Sequence, residues 1–190
     1  MGAIVRSLVM LVTLSIFTGL IYPLAMTGIA QALFPSQANG SIIEKEGQPI
    51  GSALIGQGFK DAKYFSSRPS AGGNDAANSG GTNFGGTNAK LQQQVIDNAA
   101  AVREANGWTQ EQKVPSVLVT NSSSGLDPHL TPEAVLCQVE RIAKVRGLEA
   151  EQVRELVKSH IEEPSLGVVG EARVNVLQLN LALDELQKNK

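Results

Sequence analysis

The feature that most constrains this chain is a long uncharged stretch near its N-terminus. No charged side chain occurs between Arg6 and Glu44. Within this stretch, residues 8–34 (LVMLVTLSIFTGLIYPLAMTGIAQALF) are apolar apart from scattered small polar residues and one Gln. A helix of about 20 such residues is long enough to cross a bilayer. The sequence therefore predicts one transmembrane helix over residues 8–34.

A cleaved signal peptide is the main alternative to a permanent anchor. The string Ala-Gln-Ala at residues 30–32 resembles a small-x-small cleavage site. However, the apolar core of a signal peptide is usually only about 7 to 15 residues long, and this segment is far longer. Pro23 is no obstacle, because membrane helices tolerate proline. We therefore expect the segment to remain as an anchor.

The charges that flank the anchor predict its orientation. Arg6 lies on the short flank, and the positive-inside bias keeps that flank cytoplasmic. Residues 1–7 are then the cytoplasmic N-terminus of a single-pass membrane protein, and the rest of the chain is extracytoplasmic. Of the 16 Lys and Arg residues only Arg6 precedes the anchor, which leaves 15 basic beside 18 acidic residues. This balance predicts no nucleic-acid partner.

The exported part has the length of one domain. Residues 35–50 contain Pro, Gly and Gln and predict a linker, and residues 51–190 predict a single domain. Cys137 is the only cysteine, so the domain cannot contain an internal disulfide and must be held by its hydrophobic core.

Residue patterns in the exported part predict an α/β or α+β domain with a small sheet. Short apolar runs predict strands over residues 52–59 and 116–120. Apolar residues at helical spacing, together with capping residues, predict four helices: residues 89–106, residues 132–146, a segment ending before Pro164, and one beginning at Asn175. The alternation of Val174 and Val176 also allows a short strand just before the last helix.

Residues 70–89 predict a long surface loop. The segment contains three Gly-Gly pairs and four Asn, residues that form turns at little steric cost. A phosphate-binding loop requires a Lys followed by Ser or Thr at the start of a helix, whereas Lys90 is followed by Leu91. The composition of this segment is therefore that of a loop without a phosphate site.

The segment TNSSSGLDPHLTPEA, residues 120–134, combines Asp127 and His129 with an upstream run of serines. One interpretation is a hydrolytic site, and the other is a turn in which Asp127 accepts hydrogen bonds from backbone amides. No serine here has the G-x-S-x-G setting of a hydrolase nucleophile. Thr131 is a suitable helix N-cap and Pro132 a suitable first helical residue. We therefore expect a turn or a partner contact.

Small residues recur in the predicted anchor at helical spacing. Ser15 and Gly19 are four residues apart, and so are Gly28 and Ala32. Such pairs allow two membrane helices to approach closely. The anchor is thus expected to contact the lipid bilayer and a partner helix.

Four strings together resemble one protein family, the C subunit of the bacterial Kdp-type potassium-transporting ATPase. The strings are KYFSSRPSA (63–71), SGGTNFGGTN (79–88), SGLDPHLTPEA (124–134) and LGVVGEARVNVLQLNLALD (166–184). One departure is visible, because the family usually has Gly-Pro-Thr-Asn where this chain has Gly-Gly-Thr-Asn at residues 85–88. This departure from the family pattern predicts a more flexible loop at that point.

The resemblance implies an accessory subunit of a potassium import complex in the cell inner membrane, with no catalytic site or cofactor of its own. Its partners would be a channel-like subunit that binds potassium and a P-type ATPase subunit that hydrolyses ATP. In this family the C subunit is needed for assembly of the complex. It has been proposed as a catalytic chaperone that raises the ATP affinity of the ATPase subunit. The residues implicated in partner contact or in the family motifs are Ser15, Gly19, Arg68, Pro69, Asp127, His129 and Asn175.

Direct nucleotide binding is an alternative that the predicted topology disfavours. Ser79, Gly80 and Gly81 resemble the Ser-Gly-Gly string of ABC transporters, which acts at a helix N-terminus. ATP is cytoplasmic, whereas the predicted topology places these residues outside. We therefore expect any effect on ATP affinity to act through the assembly. A membrane-anchored extracytoplasmic hydrolase that uses Asp127 and His129 stays as the alternative function.

Overall fold

The structure, a computed structural model, describes residues 2–45 and 47–188. The chain forms two compact units, Met1–Ser52 and Ala53–Lys190. The first unit contains a long apolar helix and a hairpin, and the second is a mixed domain of helices and a small sheet. The predicted fold class, an N-terminal apolar helix followed by an α+β domain with a small sheet, is confirmed in this respect.

A continuous helix spans Ala3–Leu33, with a mean hydropathy of 2.1 over its most apolar window. By length and composition it can cross a membrane. It consists of α1 (Ala3–Ile16), a π-helical turn (Phe17–Ile21) and α2 (Tyr22–Leu33). Pro23 has no amide hydrogen, and its ring crowds the carbonyl group four residues back, at Gly19. The wider π turn lies where the α-helical bond to Pro23 is lost.

The predicted linker contains regular structure. A short helix α3 (Pro35–Ala38) is followed by β1 (Ile42–Lys45) and β2 (Gln48–Ser52), which pair as an antiparallel hairpin. The predicted strand over residues 52–59 is wrong, because β2 ends at Ser52 and the chain then turns. In that segment, Gly56 donates its amide to the carbonyl oxygen of Leu126 at 2.8 Å instead of joining a sheet.

The second unit consists of five α-helices, a 3₁₀ helix and a three-stranded antiparallel sheet among its described residues. The helices are α4 (Ala89–Asn106), α5 (Pro132–Leu136), α6 (Val139–Arg146), α7 (Ala150–Ser159) and α8 (Val176–Lys188), with the 3₁₀ helix at Ser116–Leu118. The strands are β3 (His129–Leu130), β4 (Ile161–Glu162) and β5 (Arg173–Asn175), in the order β3-β5-β4. The predicted last helix and the predicted short strand before it are therefore both confirmed.

One hydrophobic core joins the last four helices to the sheet. Its fully buried side chains include Val135, Val139, Ile142, Val153, Val157, Val174, Leu179 and Leu183. Phe65, from the loop region before α4, is also fully buried in this core.

Two further predicted elements differ from the structure. The predicted strand over residues 116–120 is wrong: the segment begins as the 3₁₀ helix, and the carbonyl oxygen of Val119 accepts a hydrogen bond from Asn98 of α4 at 2.9 Å. The predicted helix over residues 132–146 is two helices, separated at Gln138. The Gln138 side chain is buried and hydrogen-bonds the backbone of Ser66, as described below.

Candidate functional site

Asp127, Arg68 and His129 form one polar cluster. Arg68 Nη1 donates to Asp127 Oδ2 at 2.9 Å. The backbone amide of His129 donates to Asp127 Oδ1 at 3.0 Å, and its ring atom Nδ1 lies 3.5 Å from the same oxygen. Both carboxylate oxygens of Asp127 are thus bound. The predicted role of Asp127 as an acceptor within its own turn agrees with this geometry.

The electrostatics of the cluster keep Asp127 ionised. The side-chain hydrogen bond from His129 is the main cause that lowers the pKa of Asp127 to about 2, with further contributions from the His129 amide and Arg68. Together these outweigh partial burial, which acts in the opposite direction. A carboxylate with so low a pKa is a weak general base at neutral pH.

The serine hydroxyls near this cluster bind loop backbone. Ser70 Oγ donates to the Gly125 carbonyl oxygen at 2.7 Å, and Ser79 Oγ donates to that of Ser124 at 3.1 Å. Ser124 Oγ in turn accepts from the amide of Leu126 at 3.1 Å. These three hydroxyls hold turns together, so the geometry favours a structural role for the segment over the hydrolase alternative.

The Ser-Gly-Gly string at residues 79–81 lies against the serine-rich loop. The Gly80 amide donates to the Ser124 carbonyl oxygen at 2.8 Å. A Cβ atom on Gly81 would lie 2.9 Å from the Ser123 carbonyl oxygen, so only glycine allows this approach without a shift. The next helix, α4, begins at Ala89 and is not the direct continuation of the string. The structure therefore gives these residues a packing role, and the indirect origin of any effect on ATP affinity stays a prediction.

Arg68 and Pro69 connect the motif segments to one another. Arg68 Nη2 donates to the Asn121 carbonyl oxygen at 3.3 Å, and the Pro69 carbonyl oxygen accepts from the Ser122 amide at 3.4 Å. Two open clefts, of about 510 and 300 Å³, flank the cluster and share Arg68 and Asp127 in their walls. His129 lines only the smaller one.

Asn175 joins the sheet to the last helix. Its Oδ1 accepts from the Gln178 amide at 3.2 Å, as an N-cap does, and its Nδ2 donates to the Ala53 carbonyl oxygen at 2.8 Å. The side chain is buried. Asn175 thus has a structural role in the domain.

A clamp on the KYFSS segment, residues 63–67, was missed by sequence reasoning. Asn180 Oδ1 accepts from the Phe65 amide at 2.9 Å, and Nδ2 donates to the Phe65 carbonyl oxygen at 3.0 Å. Gln138 Oε1 accepts from the Ser66 amide at 2.9 Å, and its Nε2 lies 3.4 Å from the Ser66 carbonyl oxygen. Two side-chain amides thus satisfy backbone groups that would otherwise need a strand partner.

Two buried arginines complete the clamp. Arg141 Nη1 donates to the carbonyl oxygens of Ala62 and Tyr64, and burial lowers the pKa of its guanidinium group. Arg146 Nε donates to the Lys63 carbonyl oxygen at 2.7 Å. The central carbon of its guanidinium group lies 4.9 Å from the centre of the Tyr64 ring. The sequence contains only the local part of this clamp: Gln138 and Arg141 are three residues apart, and Arg141 Nη2 donates to Gln138 Oε1 at 2.8 Å.

Ser15 and Gly19 lie in the N-terminal helix and are exposed. Apart from the helix backbone around it, no described atom lies within 4 Å of a Cβ atom built on Gly19, so the surface there is open. Such a surface has the shape that close packing of a second helix requires.

Comparison with known proteins gives the family. A family model described as "KdpC: K+-transporting ATPase, c chain" matches residues 4–185. The chain belongs to this family. It is similar to proteins named "Potassium-transporting ATPase KdpC subunit" from Caldanaerobacter subterraneus subsp. tengcongensis (49% identity, covering 92% of this chain and 91% of the relative) and Koribacter versatilis (49%, covering 97% and 95%). The relative in Burkholderia ambifaria is 51% identical, covering 98% of both chains.

Family membership confirms the resemblance found in the sequence. The chain is a KdpC-type accessory subunit of a potassium-transporting ATPase, a complex that imports potassium. Its apolar N-terminal helix agrees with a membrane-anchored subunit. The motif residues Arg68, Pro69, Asp127 and Asn175 all form contacts within the second unit.

Proposed function

We propose that this chain is a non-catalytic subunit that holds the potassium-transporting assembly together from the extracytoplasmic side. The observation that carries the proposal is the state of Asp127, whose two carboxylate oxygens are bound by Arg68 and by the turn at His129. The most reactive groups of the family motif are thereby used to build the domain. A subunit of this kind contributes surface and anchoring, while its partners supply the chemistry.

The proposed partners are a channel-like subunit that binds potassium and a P-type ATPase subunit that hydrolyses ATP. The anchor would pack against one of them in the membrane through the small residues Ser15 and Gly19. The proposed orientation rests on Arg6, the only basic residue N-terminal to the uncharged residues 8–34, which favours a cytoplasmic N-terminus.

The proposed effect on ATP affinity is indirect. With the second unit outside and ATP inside the cell, the chain would alter ATP binding by stabilising one state of the whole complex. The hydrogen bonds of Ser79 and Gly80 to the serine-rich loop support this view, because they use these groups within the domain.

Co-purification tests the assembly proposal. An affinity tag after Lys190 is expected to recover two larger membrane proteins from solubilised membranes, identified by mass spectrometry, together with potassium-stimulated ATP hydrolysis. Recovery of the chain without companions would contradict the proposal.

A reporter fusion tests the orientation separately. A reporter that is active only outside the cytoplasm, fused after Lys190, is expected to be active. A second fusion of the same reporter before Met1 is the matched control and is expected to be inactive. The reverse pattern would overturn the orientation and would reopen direct ATP contact at residues 79–81.

A further inference from the structure

Three neighbouring apolar side chains are exposed on the loop between β4 and β5. The exposed fractions are 93% for Leu166, 82% for Val168 and 60% for Val169. We call these three residues the apolar tip. In the described part of the second unit, the other large apolar side chains with high exposure are isolated: Leu54, Ile96 and Val145. Single exposed apolar residues are ordinary, whereas a cluster marks an interaction site.

The apolar tip is presented by an ordered hairpin. Residues 165 and 169 form a bridge in which each amide donates to the other's carbonyl oxygen at 2.9 Å. The Gly167 amide also donates to the Pro164 carbonyl oxygen at 2.9 Å. At its base the hairpin continues into paired strands, with Ile161 opposite Val174. A preorganised loop loses less conformational freedom on binding than a flexible one.

The backbone of Leu166 is in a conformation that leucine rarely adopts. Its φ angle is +56°, in the left-handed region that favours Gly, Asn and Asp. At 93% exposure, the side chain has little packing within the chain to offset this strain. Strained, exposed residues of this type occur at binding sites, where the side chain is used by a partner.

Charges beside the apolar tip favour a protein partner over a membrane surface. Glu163 and Glu171 are exposed on either side, while Glu162 is paired with Arg173 at 2.9 Å. Residues 159–172 contain no Lys, Arg, Trp or Tyr. A membrane-inserting loop usually has aromatic or basic flanks, and anionic headgroups repel glutamates. The acidic flanks instead complement Lys and Arg on a protein surface.

We infer that the apolar tip inserts into an apolar recess with a basic rim on another subunit of the same potassium-transporting assembly. This inference rests on the assembly role proposed above and assigns one contact surface to it. The ordered hairpin fixes the shape of this contact, the apolar tip supplies the buried anchors, and the two glutamates orient it.

Photocrosslinking in the intact complex tests the contact directly. A benzophenone amino acid replaces Leu166 in the tagged full chain, and the complex is irradiated in native membranes before purification. The expected result is an adduct with one larger protein subunit. The same probe at Ile96, an isolated exposed residue on α4, is the control and is expected to give no such adduct. An adduct with lipid alone, or no adduct at Leu166, would overturn the inference.

A variant that preserves the loop gives an independent test. In Leu166→Asn the new residue suits the left-handed backbone, so the unfolding midpoint of the chain is expected to stay equal or to rise. Loss of the apolar anchor is expected to lower the yield of co-purified partners about tenfold after a stringent wash. Ile96→Asn is the matched control, with unchanged yield.

The outcomes separate the two proposals. If the unmodified chain recovers no companion subunits, both the assembly role and the contact fail. If the unmodified chain recovers them and Leu166→Asn does so equally well, the contact at the apolar tip is wrong while the assembly role stands.

Discussion

Asn180 hydrogen-bonds both backbone groups of Phe65, although the two residues are 115 positions apart in the sequence. The amide and the carbonyl of Phe65 are paired as they would be in a β-sheet, but by a side chain of α8. Both residues are almost fully buried. This pairing fixes the KYFSS segment on the core and so positions Arg68, which follows it and binds Asp127.

Asn180→Ala is expected to destabilise the second unit by about 2 to 4 kcal/mol, because it leaves two buried backbone groups unpaired. The free energy of unfolding is measured by urea titration of the full chain in detergent, with the fluorescence of the single Trp108 as the signal. Gln178→Ala, at an exposed position of the same helix, is the control and is expected to change little. Equal losses in the two variants would contradict the clamp.

Gly80 and Gly81 are adjacent in the sequence but differ in the space around them, so they provide a second pair of test and control variants. Gly81→Ala is expected to cost about 1 to 3 kcal/mol, because its Cβ would lie 2.9 Å from the Ser123 carbonyl oxygen. Gly80→Ala is expected to be nearly neutral, since no described atom beyond its chain neighbours lies within 4 Å of its Cβ position. The same urea titration measures both.

The same pair of glycines tests nucleotide binding. If residues 79–81 cradle a nucleotide, Gly80→Ala weakens ATP affinity of the complex while leaving the domain stable. We expect unchanged ATP affinity, measured as the ATP concentration for half-maximal hydrolysis. A large increase in that concentration would reinstate direct binding.

Asp127 predicts a dependence of stability on pH. Its pKa in the folded chain is about 2, below the ordinary value of 3.8, so its ionised form stabilises the fold above about pH 4. This contribution, about 2 kcal/mol, is lost as the pH falls from about 4 to 2. Asp127→Asn is therefore expected to lower stability at pH 7 and to differ little from the unmodified chain at pH 2. Asp97→Asn, at an exposed carboxylate on α4, is the control.

Local signals predicted the helices of this fold well. The α4 helix begins after Asn88, whose Oδ1 accepts from the Lys90 amide at 2.9 Å, and it ends before Gly107, which has a φ angle of +67°. Thr131 accepts from the Ala134 amide, as predicted for the N-cap of α5. In each case the capping residue and the group it binds are at most five positions apart, so the sequence contains the whole interaction.

Long-range pairing accounts for the errors. The run SVLVT at residues 116–120 has strand-like composition. However, the carbonyl oxygen of Val119 accepts a hydrogen bond from the Asn98 side chain of α4 instead of from a neighbouring strand. Similarly, the helical pattern is interrupted at Gln138, whose side chain accepts from the Ser66 amide, 72 positions away in the sequence. Such contacts depend on which segments become neighbours in the fold, and no local pattern records this. Strand composition describes a half-buried surface and does not by itself supply a partner.

The anchor offers a test of helix packing. Gly19→Leu is expected to weaken recovery of the partner subunits, because added bulk prevents close approach of a second helix. The urea unfolding of the second unit is expected to be unchanged, since Gly19 belongs to the first unit. Met10→Leu, which keeps an apolar side chain of similar size in the same helix, is the control. Normal assembly of the Gly19 variant would show that another face of the helix makes the contact.

His129 separates the accessory subunit from the hydrolase. Its backbone amide makes the 3.0 Å bond to Asp127 Oδ1, and this bond survives removal of the imidazole ring. Removing a general acid or base usually lowers a rate about 10² to 10⁴-fold. We expect the complex with His129→Ala to keep potassium-stimulated ATP hydrolysis within about tenfold of the unmodified complex, with the loss matching reduced assembly.

The control for this variant is His160→Ala, whose ring Nδ1 lies 2.9 Å from the Leu156 carbonyl oxygen in another part of the domain. Each purified chain is also assayed alone, against ester and phosphoester substrates. A structural His129 predicts no activity in either variant or in the unmodified chain, because Asp127 is already bound by Arg68 and the turn. Hydrolysis by the unmodified chain that disappears in His129→Ala but persists in His160→Ala would establish the hydrolase and refute the accessory role.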